Sequence, residues 1–379
     1  MRAGAPGKRG RRPASLTDEH VEDGEVGVVE PGEGGDPRGV EGQLDAQVPQ
    51  SGAQVAGFGH HPPPPSNTMR IIITSMGTRS VRRSTTAALL TSFLIIATGG
   101  VVRVSGSGLG CPDWPRCTAG SFTSAAASTG VHGAIEFGNR VLTGVVVLAV
   151  GWVIVAAYPH RRDAGTFLWR SAWGQLLVVL LNAVVGGVTV WTGLNPYIVA
   201  GHFLAAMLLL ASTTVSFDLA HRTGPPRPVQ RSTARWGRLV LWTSAASVTA
   251  GTVVTGAGPH PGDTAEVTRI PLDWTILTYA HGLLAACALV AVAGCMRAAA
   301  RHRDRLALHR SRTLLAALSG QAAIGLYQSL DGLPAVAVLL HLAGAALVWS
   351  GAVRVRLACP PTAAAPASRF GPLAGARQP

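Results

Sequence analysis

Residues 182–206 read "NAVVGGVTVWTGLNPYIVAGHFLAA", which is two apolar runs joined by a short Gly-Leu-Asn-Pro turn, with a histidine early in the second run. Residues 321–345, "QAAIGLYQSLDGLPAVAVLLHLAGA", repeat this arrangement without a gap, so that His202 corresponds to His341. So short a turn between two long apolar runs predicts a tight helical hairpin. The repeat indicates that the chain builds the same hairpin twice.

The composition is that of a membrane protein. Of all residues, 47% are hydrophobic and 13% are charged, whereas a soluble domain carries about 25% charged residues. A helix needs about 20 mostly apolar residues to cross the hydrocarbon core. Eight runs meet this requirement, at about 85–104, 131–157, 171–191, 197–219, 239–256, 274–296, 313–330 and 334–353. We therefore predict an all-α integral membrane protein with eight transmembrane helices.

A second correspondence extends the repeat to the whole membrane region. The segment "VRVSGSG" at residues 102–108 resembles "TVVTGAG" at residues 252–258. Spans one to four and five to eight are therefore predicted to form two tandem four-helix bundles in parallel orientation, a known pattern of membrane repeats. We expect the N-terminal repeat at residues 69–236 and the C-terminal repeat at residues 237–356.

The two ends of the chain differ in kind from the spans. Residues 1–68 are rich in glycine, proline and acidic residues and show no apolar periodicity. This is typical of a disordered tail, and a misassigned start codon is the alternative. Residues 357–379 are expected to be a disordered cytoplasmic tail.

The distribution of the arginines among the loops predicts the topology of the protein in the membrane. Most of those in the membrane region lie before span one, after span eight and in the loops after spans two, four and six, and the alternate loops carry only Arg103, Arg116 and Arg269. By the positive-inside rule, both termini are cytoplasmic and the loop after span one is external. The protein is thus predicted to be a multi-pass protein of the cell membrane, and its positive charge does not indicate a nucleic-acid partner.

The external loop contains the segment "CPDWPRC" at residues 111–117. An oxidising compartment permits a disulfide between Cys111 and Cys117 if the turn brings their Cα atoms within about 7 Å. A metal site is the alternative, although no histidine or third cysteine accompanies the pair nearby. The other three cysteines are expected to be unpaired.

Four histidines lie inside predicted spans, one on each even-numbered span: His132, His202, His281 and His341. An imidazole in a membrane is unfavourable unless it is hydrogen-bonded or ligates a metal. A hydrogen bond between helices accounts for any one of them. For four at similar depth, two per repeat, axial ligation of haem iron explains the whole set. We therefore predict one haem site per repeat, near the external face.

The second span adds a polar stripe, "HGAIEFGNR", at residues 132–140. Glu136 and Arg140 follow His132 at intervals of four residues, so the three side chains share one helical face. The second repeat has no counterpart, so the N-terminal site is predicted to be polar and the C-terminal site apolar. We interpret Glu136 and Arg140 as catalytic candidates, and a purely structural ion pair is the alternative.

These motifs together resemble the haem A synthase family. The resemblance rests on "GGVVRVSGSGLGCPDWPRC" at residues 99–117, on "HGAIEFGNR", on the Gly-rich third span with its following histidine and on the C-terminal glutamine, glycine and histidine pattern. It covers roughly residues 80–353. Members of this family are integral membrane enzymes that oxidise haem O to haem A for terminal oxidases.

The resemblance implies roles for the candidate residues. His132 and His202 would hold the substrate haem O, and His281 and His341 would hold a haem b. Glu136 would be the essential carboxylate of the family. The two external cysteines would be the loop pair found in some members. The implied partners are haem O synthase, an electron donor and a cytochrome oxidase that receives the product.

One position departs from the family pattern. In much of the family, the histidine of the second span lies three residues after the glutamate. Here Asn139 occupies that position, and His132 lies four residues before Glu136. This arrangement resembles that of actinobacterial-type members. Because a helix rises about 1.5 Å per residue, His132 would lie about 10 Å further out on the same face.

Two other functions fit the same residues. A dihaem electron-transfer protein that takes electrons from quinol would hold a non-exchanging haem in both halves. A non-enzymatic haem carrier would bind haem reversibly and without dependence on oxygen. The presence of Glu136 in only one half favours an enzyme.

Overall fold

The computed structural model of the protein describes five stretches of chain. They are residues 67–124, 126–162, 166–222, 227–263 and 267–361. The disordered tails expected at the two ends therefore lie largely outside the described residues. The chain after the last helix is described to residue 361, and there Cys359 is buried, so the expected tail does not begin at residue 357.

The described chain folds into long helices joined by short connections. They are α1 (Asn67–Val104), α2 (Ala126–Ala157), α3 (Thr166–Trp191), α4 (Pro196–His221), α5 (Arg231–Ala257), α6 (Trp274–Arg301), α7 (Arg305–Leu330) and α8 (Ala335–Leu357), with a short 3₁₀ turn at Tyr158–His160. Among these residues there is no β-sheet, only isolated bridges. Seven helices are both long and apolar enough to cross a membrane. The eighth, α7, has the length but is less apolar. The predicted all-α integral membrane fold is confirmed.

The helices form two bundles of four. In the first half, α1 contacts α2 and α4, and α3 lies between α2 and α4. In the second half, α5 contacts α6 and α8, and α7 lies between α6 and α8. The halves meet where α8 packs against α1 and α4, and where α4 packs against α5. Because α5 begins at Arg231, the proposed boundary between residues 236 and 237 lies inside that helix.

The two repeated hairpins use the same turn. Gly193 and Leu194 have φ values of 56° and 59°, and Gly332 and Leu333 have 70° and 62°. Leucine rarely adopts this left-handed conformation, yet both copies contain it. In the first copy, the Asn195 side chain then accepts a hydrogen bond from the backbone N–H of Tyr197 and caps α4. The repeat read from the sequence is thus present in the backbone.

A buried carboxylate joins the two halves at the end where α4, α7 and α8 meet. Asp218 on α4 is 3% exposed. Its Oδ2 pairs with Arg222 at 2.8 Å, its Oδ1 pairs with Arg310 of α7, and Arg354 of α8 lies 4.0 Å away. The arginines read as topology signals in the sequence therefore also form an ion-pair network between the bundles.

The three remaining cysteines are free thiols, as expected, but two of them touch. The Sγ atoms of Cys295 on α6 and Cys359 after α8 are 4.0 Å apart in the core of the second half. The hydrogen bond that the Cys359 thiol donates to Cys295, together with burial, raises the pKa of Cys359. The next residue, Pro360, adds a backbone hydrogen bond, in which its carbonyl accepts from the N–H of Val229.

The Asp218 network predicts a large loss of stability when the carboxylate is removed. Asp218→Asn leaves two partly buried guanidinium groups without their counter-charge, which costs about 3 kcal/mol. The free energy of unfolding, measured by denaturant titration in detergent, is expected to fall by about that amount. Asp331→Asn, which changes an exposed loop carboxylate, is the control. Equal stability of the two variants would contradict the assignment.

Candidate functional site

The loop after α1 is closed by a disulfide. Cys111 and Cys117 are bonded, with their Cα atoms 4.4 Å apart, and both are fully buried. This confirms the predicted disulfide over the alternative of a metal site. The loop lies against α3, because the Trp114 ring packs on Gly187 and meets the ring of Trp191 edge-on at 5.3 Å between centroids.

Glu136 and Arg140 of α2 bind this loop. The Glu136 Oε2 accepts a hydrogen bond of 2.6 Å from the backbone N–H of Cys111, and its Oε1 pairs with Arg140 at 2.5 Å. Arg140 also donates to the carbonyl groups of Cys111, Asp113 and Arg116, at 3.1, 3.0 and 2.9 Å. Both carboxylate oxygens are therefore engaged, and the guanidinium group holds three points of the loop.

The ion pair thus holds the loop against α2. Glu136 is 6% exposed, and each of its oxygens has a fixed donor. A buried carboxylate with an arginine partner and a backbone donor is held in one position. It keeps the disulfide loop in place over the first bundle. For any further role, Glu136 would have to give up one of these two hydrogen-bond partners.

His132 lies further out than the other three histidines. Gly130 interrupts α2 with a φ of 60° and a ψ of −156°, so His132 stands in the first turn of the regular helix. Its Nδ1 is 2.9 Å from the Oγ of Ser107, in the loop after α1. His132 thus lies in the first turn after the break, whereas His202, His281 and His341 lie about two turns into their helices.

Asn139 occupies the level that an imidazole occupies in the second half. On α6, the His281 Nδ1 donates to the carbonyl of Ser247 on α5 at 3.0 Å. On α2, the Asn139 Oδ1 accepts a hydrogen bond of 2.7 Å from Thr98 on α1. The similarity between residues 102–108 and 252–258 places Thr98 and Ser247 at nearly the same height in the two repeats.

Three histidine rings pack on a glycine of the preceding helix. A Cβ atom added at Gly186, Gly251 or Gly325 would lie only about 3 Å from a ring carbon. The pairs, with the distance from that Cβ position to the Cε1 atom, are Gly186 with His202 at 3.0 Å, Gly251 with His281 at 2.9 Å and Gly325 with His341 at 3.0 Å. Glycine at these three positions therefore creates the space for the imidazoles.

His281 and His341 face each other across the second bundle, with ring centroids 6.2 Å apart and planes at 79°. At about 2 Å from a metal to each imidazole nitrogen, two rings that share one metal atom have centres roughly 6 Å apart. The Nδ1 of His281 is fixed by a backbone carbonyl, a common arrangement of ligating histidines. The spacing and the anchored ring fit two axial ligands of a haem.

Three side-chain nitrogen atoms of this region are buried without a protein partner within the described chain. The Nδ1 atoms of His202 and His341 are buried without a hydrogen bond. So is the Nε of Arg103, although its Nη2 donates to the carbonyl of Thr255 on α5 at 2.8 Å. In the sequence, Arg103 is one of the few arginines on the external side. Its position at the end of a span is the one feature that indicates a place between the halves.

Comparison with known proteins places these features in a family. A family model described as cytochrome oxidase assembly protein, COX15-CtaA, matches residues 82–353. This range contains all four intramembrane histidines, the disulfide loop and the Glu136–Arg140 pair.

Curated relatives that match this chain bear the name heme A synthase, and three of them illustrate the similarity. The protein of Geobacillus thermodenitrificans is 29% identical over 148 residues, which are 38% of this chain and 44% of the relative. That of Lysinibacillus sphaericus is 28% identical over 134 residues, 35% of this chain and 42% of the relative. That of Listeria welshimeri is 30% identical over 151 residues, 39% of this chain and 47% of the relative. The chain thus spans less than half the length of the curated relatives it matches.

The contacts of Arg140 predict that it protects the disulfide. Arg140→Gln removes the ion pair and the charged hydrogen bonds to the loop, each worth about 1.5–3 kcal/mol. Local opening of the loop, and with it reduction of Cys111–Cys117 by a soluble phosphine, is expected to become roughly tenfold faster or more. The rate is measured by alkylation and mass spectrometry.

Arg116→Gln is the matched control for this experiment. The Arg116 side chain is exposed and contacts only its own loop, at the carbonyl of Ala119 and the ring of Phe122. The carbonyl of Arg116 that Arg140 binds is unchanged by this substitution. Equal reduction rates in Arg140→Gln, Arg116→Gln and the wild type would show that the clamp does not hold the loop.

Proposed function

Because the chain belongs to the cytochrome oxidase assembly family whose model matches residues 82–353, we propose that it is a membrane oxidoreductase that converts haem O into haem A. In this reaction, a methyl group of the porphyrin becomes a formyl group. The matches to relatives named heme A synthase cover less than half of each relative. The proposed activity of the whole protein therefore rests on family membership together with the geometry of the site.

The observation that most supports the proposal is the facing pair His281 and His341. Their rings are 6.2 Å apart in an apolar bundle, and we assign them as the two axial ligands of a resident haem b. Along α6 the first charged residue is Arg297, and along α8 it is Arg354, each more than three turns after the histidine. An apolar, two-histidine environment suits a haem that stays bound and passes electrons.

The first half is assigned to the substrate haem O. His202 packs on Gly186 in the same way that His341 packs on Gly325, so His202 is the proposed axial ligand. His132 remains the second proposed residue on this side, at the outer level marked by Ser107. Because Asn139 stands at the level of His281, the first half offers one imidazole at the depth where the second half offers two. A haem held at this depth in the first half would have one imidazole available rather than two.

Bound haem iron and oxygen supply the oxidising chemistry that side chains lack. The chain itself binds and orients. The Gly186–His202 contact fixes one ring, and the Glu136–Arg140 pair fixes the disulfide loop that covers the first bundle. Glu136 has its Oε2 on the Cys111 N–H and its Oε1 on Arg140, and we propose that it acts as the catalytic carboxylate of this half. Release of the Cys111 N–H from Oε2 would free that oxygen to accept a proton.

The proposed topology follows from the arginines. Both termini are cytoplasmic, and the disulfide loop lies outside, where an oxidising environment preserves it. The multi-pass membrane location agrees with the seven apolar helices of the described chain. Haem O synthase as supplier of substrate, an electron donor and a cytochrome oxidase as recipient of haem A complete the proposed set of partners.

The ligand assignment predicts the spectrum of the purified protein. His281→Ala or His341→Ala is expected to abolish a six-coordinate, low-spin haem b signal, because each variant removes one of two axial imidazoles. The control is His309→Ala, which changes an exposed histidine of α7. An unchanged low-spin signal in both bundle variants would refute the assignment.

The role of Glu136 is tested by its products. Glu136→Gln is expected to leave the C-terminal haem b signal per molecule of purified protein unchanged, whereas haem A falls and haem O or a hydroxymethyl product accumulates. Pigments are extracted from cells and separated by chromatography. Asp113→Asn is the control, because the Asp113 side chain accepts a bond only from the backbone N–H of Trp114 among the described contacts.

Haem A formed at the normal rate by Glu136→Gln would remove this carboxylate from the mechanism. A parallel fall of protein, haem b and haem A would assign it a structural role alone. If wild-type membranes contain bound haem O but never form haem A, the chain is a haem carrier or an electron-transfer protein.

A further inference from the structure

A basic pocket lies between α5 and α6, at the end of the protein opposite the disulfide loop. It has a volume of about 280 Å³. Arg297, Arg301 and His302 line it from α6 and the residue that follows, and Ser232 and Trp236 line it from α5. This pocket has no part in the proposed haem chemistry, because the histidine pairs lie toward the other end of the helices.

Arg297 and Arg301 of the pocket make no ion pair within the described part of the chain. Arg297 and Arg301 are one helical turn apart on the same face of α6, and both are exposed. The ion pairs of the described chain use Arg140, Arg222, Arg310 and Arg354 instead. Two adjacent guanidinium groups without an acidic partner favour a bound anion.

The nearest acidic residue faces another partner. The Oδ2 of Asp304 accepts a hydrogen bond of 2.9 Å from the Oγ1 of Thr233 on α5. That bond ties the α6–α7 connection to the start of α5.

The α5 side of the pocket adds uncharged donors. The N-cap residue Gln230 makes no side-chain cap bond, so the first backbone N–H groups of α5 are not satisfied by a cap. The free N–H groups at a helix N-terminus favour an anion. Ser232, in this first turn, places its Oγ 3.1 Å from the Nε2 of His302. An anion in the pocket would thus meet donors from both helices.

A close contact fixes the wall of the pocket. The Trp236 ring packs directly on Gly294, where a Cβ atom would lie 2.6 Å from a ring carbon. Gly294 therefore lets the indole fill the space between α5 and α6. Tryptophan is enriched at the membrane interface, because its ring is apolar and its N–H is polar.

We propose that this pocket binds the phosphate group of an anionic phospholipid. The two arginines lie at the end of α6, where the headgroups of a bilayer are found. The indole of Trp236 offers an apolar face to the adjoining glycerol and acyl carbons. Basic pockets between spans bind anionic headgroups in this way. Free phosphate has the same oxygen chemistry but nothing to place against the Trp236 face.

The test compares the full-length protein in nanodiscs of phosphatidylcholine alone and of phosphatidylcholine with phosphatidylglycerol. Binding of the anionic lipid is expected to raise the thermal unfolding midpoint of the wild type. Each of Arg297→Gln and Arg301→Gln removes a charge-assisted hydrogen bond, which weakens binding of phosphatidylglycerol by about tenfold. Lipid retained in native mass spectrometry gives a second readout.

Arg312→Gln is the matched control, because this exposed arginine of α7 lies at the same end of the protein but outside the pocket. The proposal expects it to behave as the wild type. Equal loss of lipid in all three variants, or no loss in any, would contradict the proposal that this pocket binds the lipid. Inorganic phosphate added to phosphatidylcholine nanodiscs separates the two sources. If phosphate alone reproduces the stabilisation, the site binds a soluble anion and the lipid assignment is wrong.

Discussion

The contact between an imidazole ring and a glycine of the preceding helix sets the spacing of the functional helices. Inside a bilayer, a polar ring must find its partners within the protein, because lipid offers none. A ring also needs space, and only a glycine lets the neighbouring backbone come so close. Gly186, Gly251 and Gly325 provide that space for His202, His281 and His341. Helix pairs that differ in most other residues therefore share one geometry.

The two halves differ where this contact is absent. Between α1 and α2, a hydrogen bond from Thr98 to Asn139 stands where the second half has an imidazole on a glycine. The first half instead adds Glu136 and Arg140, which clamp the disulfide loop. One half thus has two facing rings in apolar surroundings, and the other has one ring, a buried carboxylate and a covered outer end. This asymmetry is what separates a retained electron-transfer haem from a substrate haem in the proposed function.

Much of this architecture could be predicted from the sequence, because apolar runs, arginine loops and a repeated hairpin are local or periodic signals. The disulfide also followed from one short loop. The depth of His132 did not, because it depends on the break at Gly130, and a single glycine inside an apolar run gives no direct sign of a break. The Asp218 network and the Cys295–Cys359 contact joined residues far apart in sequence. Whether Glu136 binds the loop or faces the interior of the bundle likewise depended on the path of a loop that spacing alone does not define.

The account depends most directly on the glycine contacts, and one substitution tests them. Gly325→Ala adds a methyl group 3.0 Å from the Cε1 of His341, whereas Gly320→Ala, on the same helix, meets nothing within 4 Å. Both substitutions raise helix propensity by a similar amount, about 0.5–1 kcal/mol. The low-spin haem signal per molecule of purified protein is measured for each. The account predicts a lost or shifted signal in Gly325→Ala and an unchanged one in Gly320→Ala. Identical wild-type spectra in both variants would contradict it.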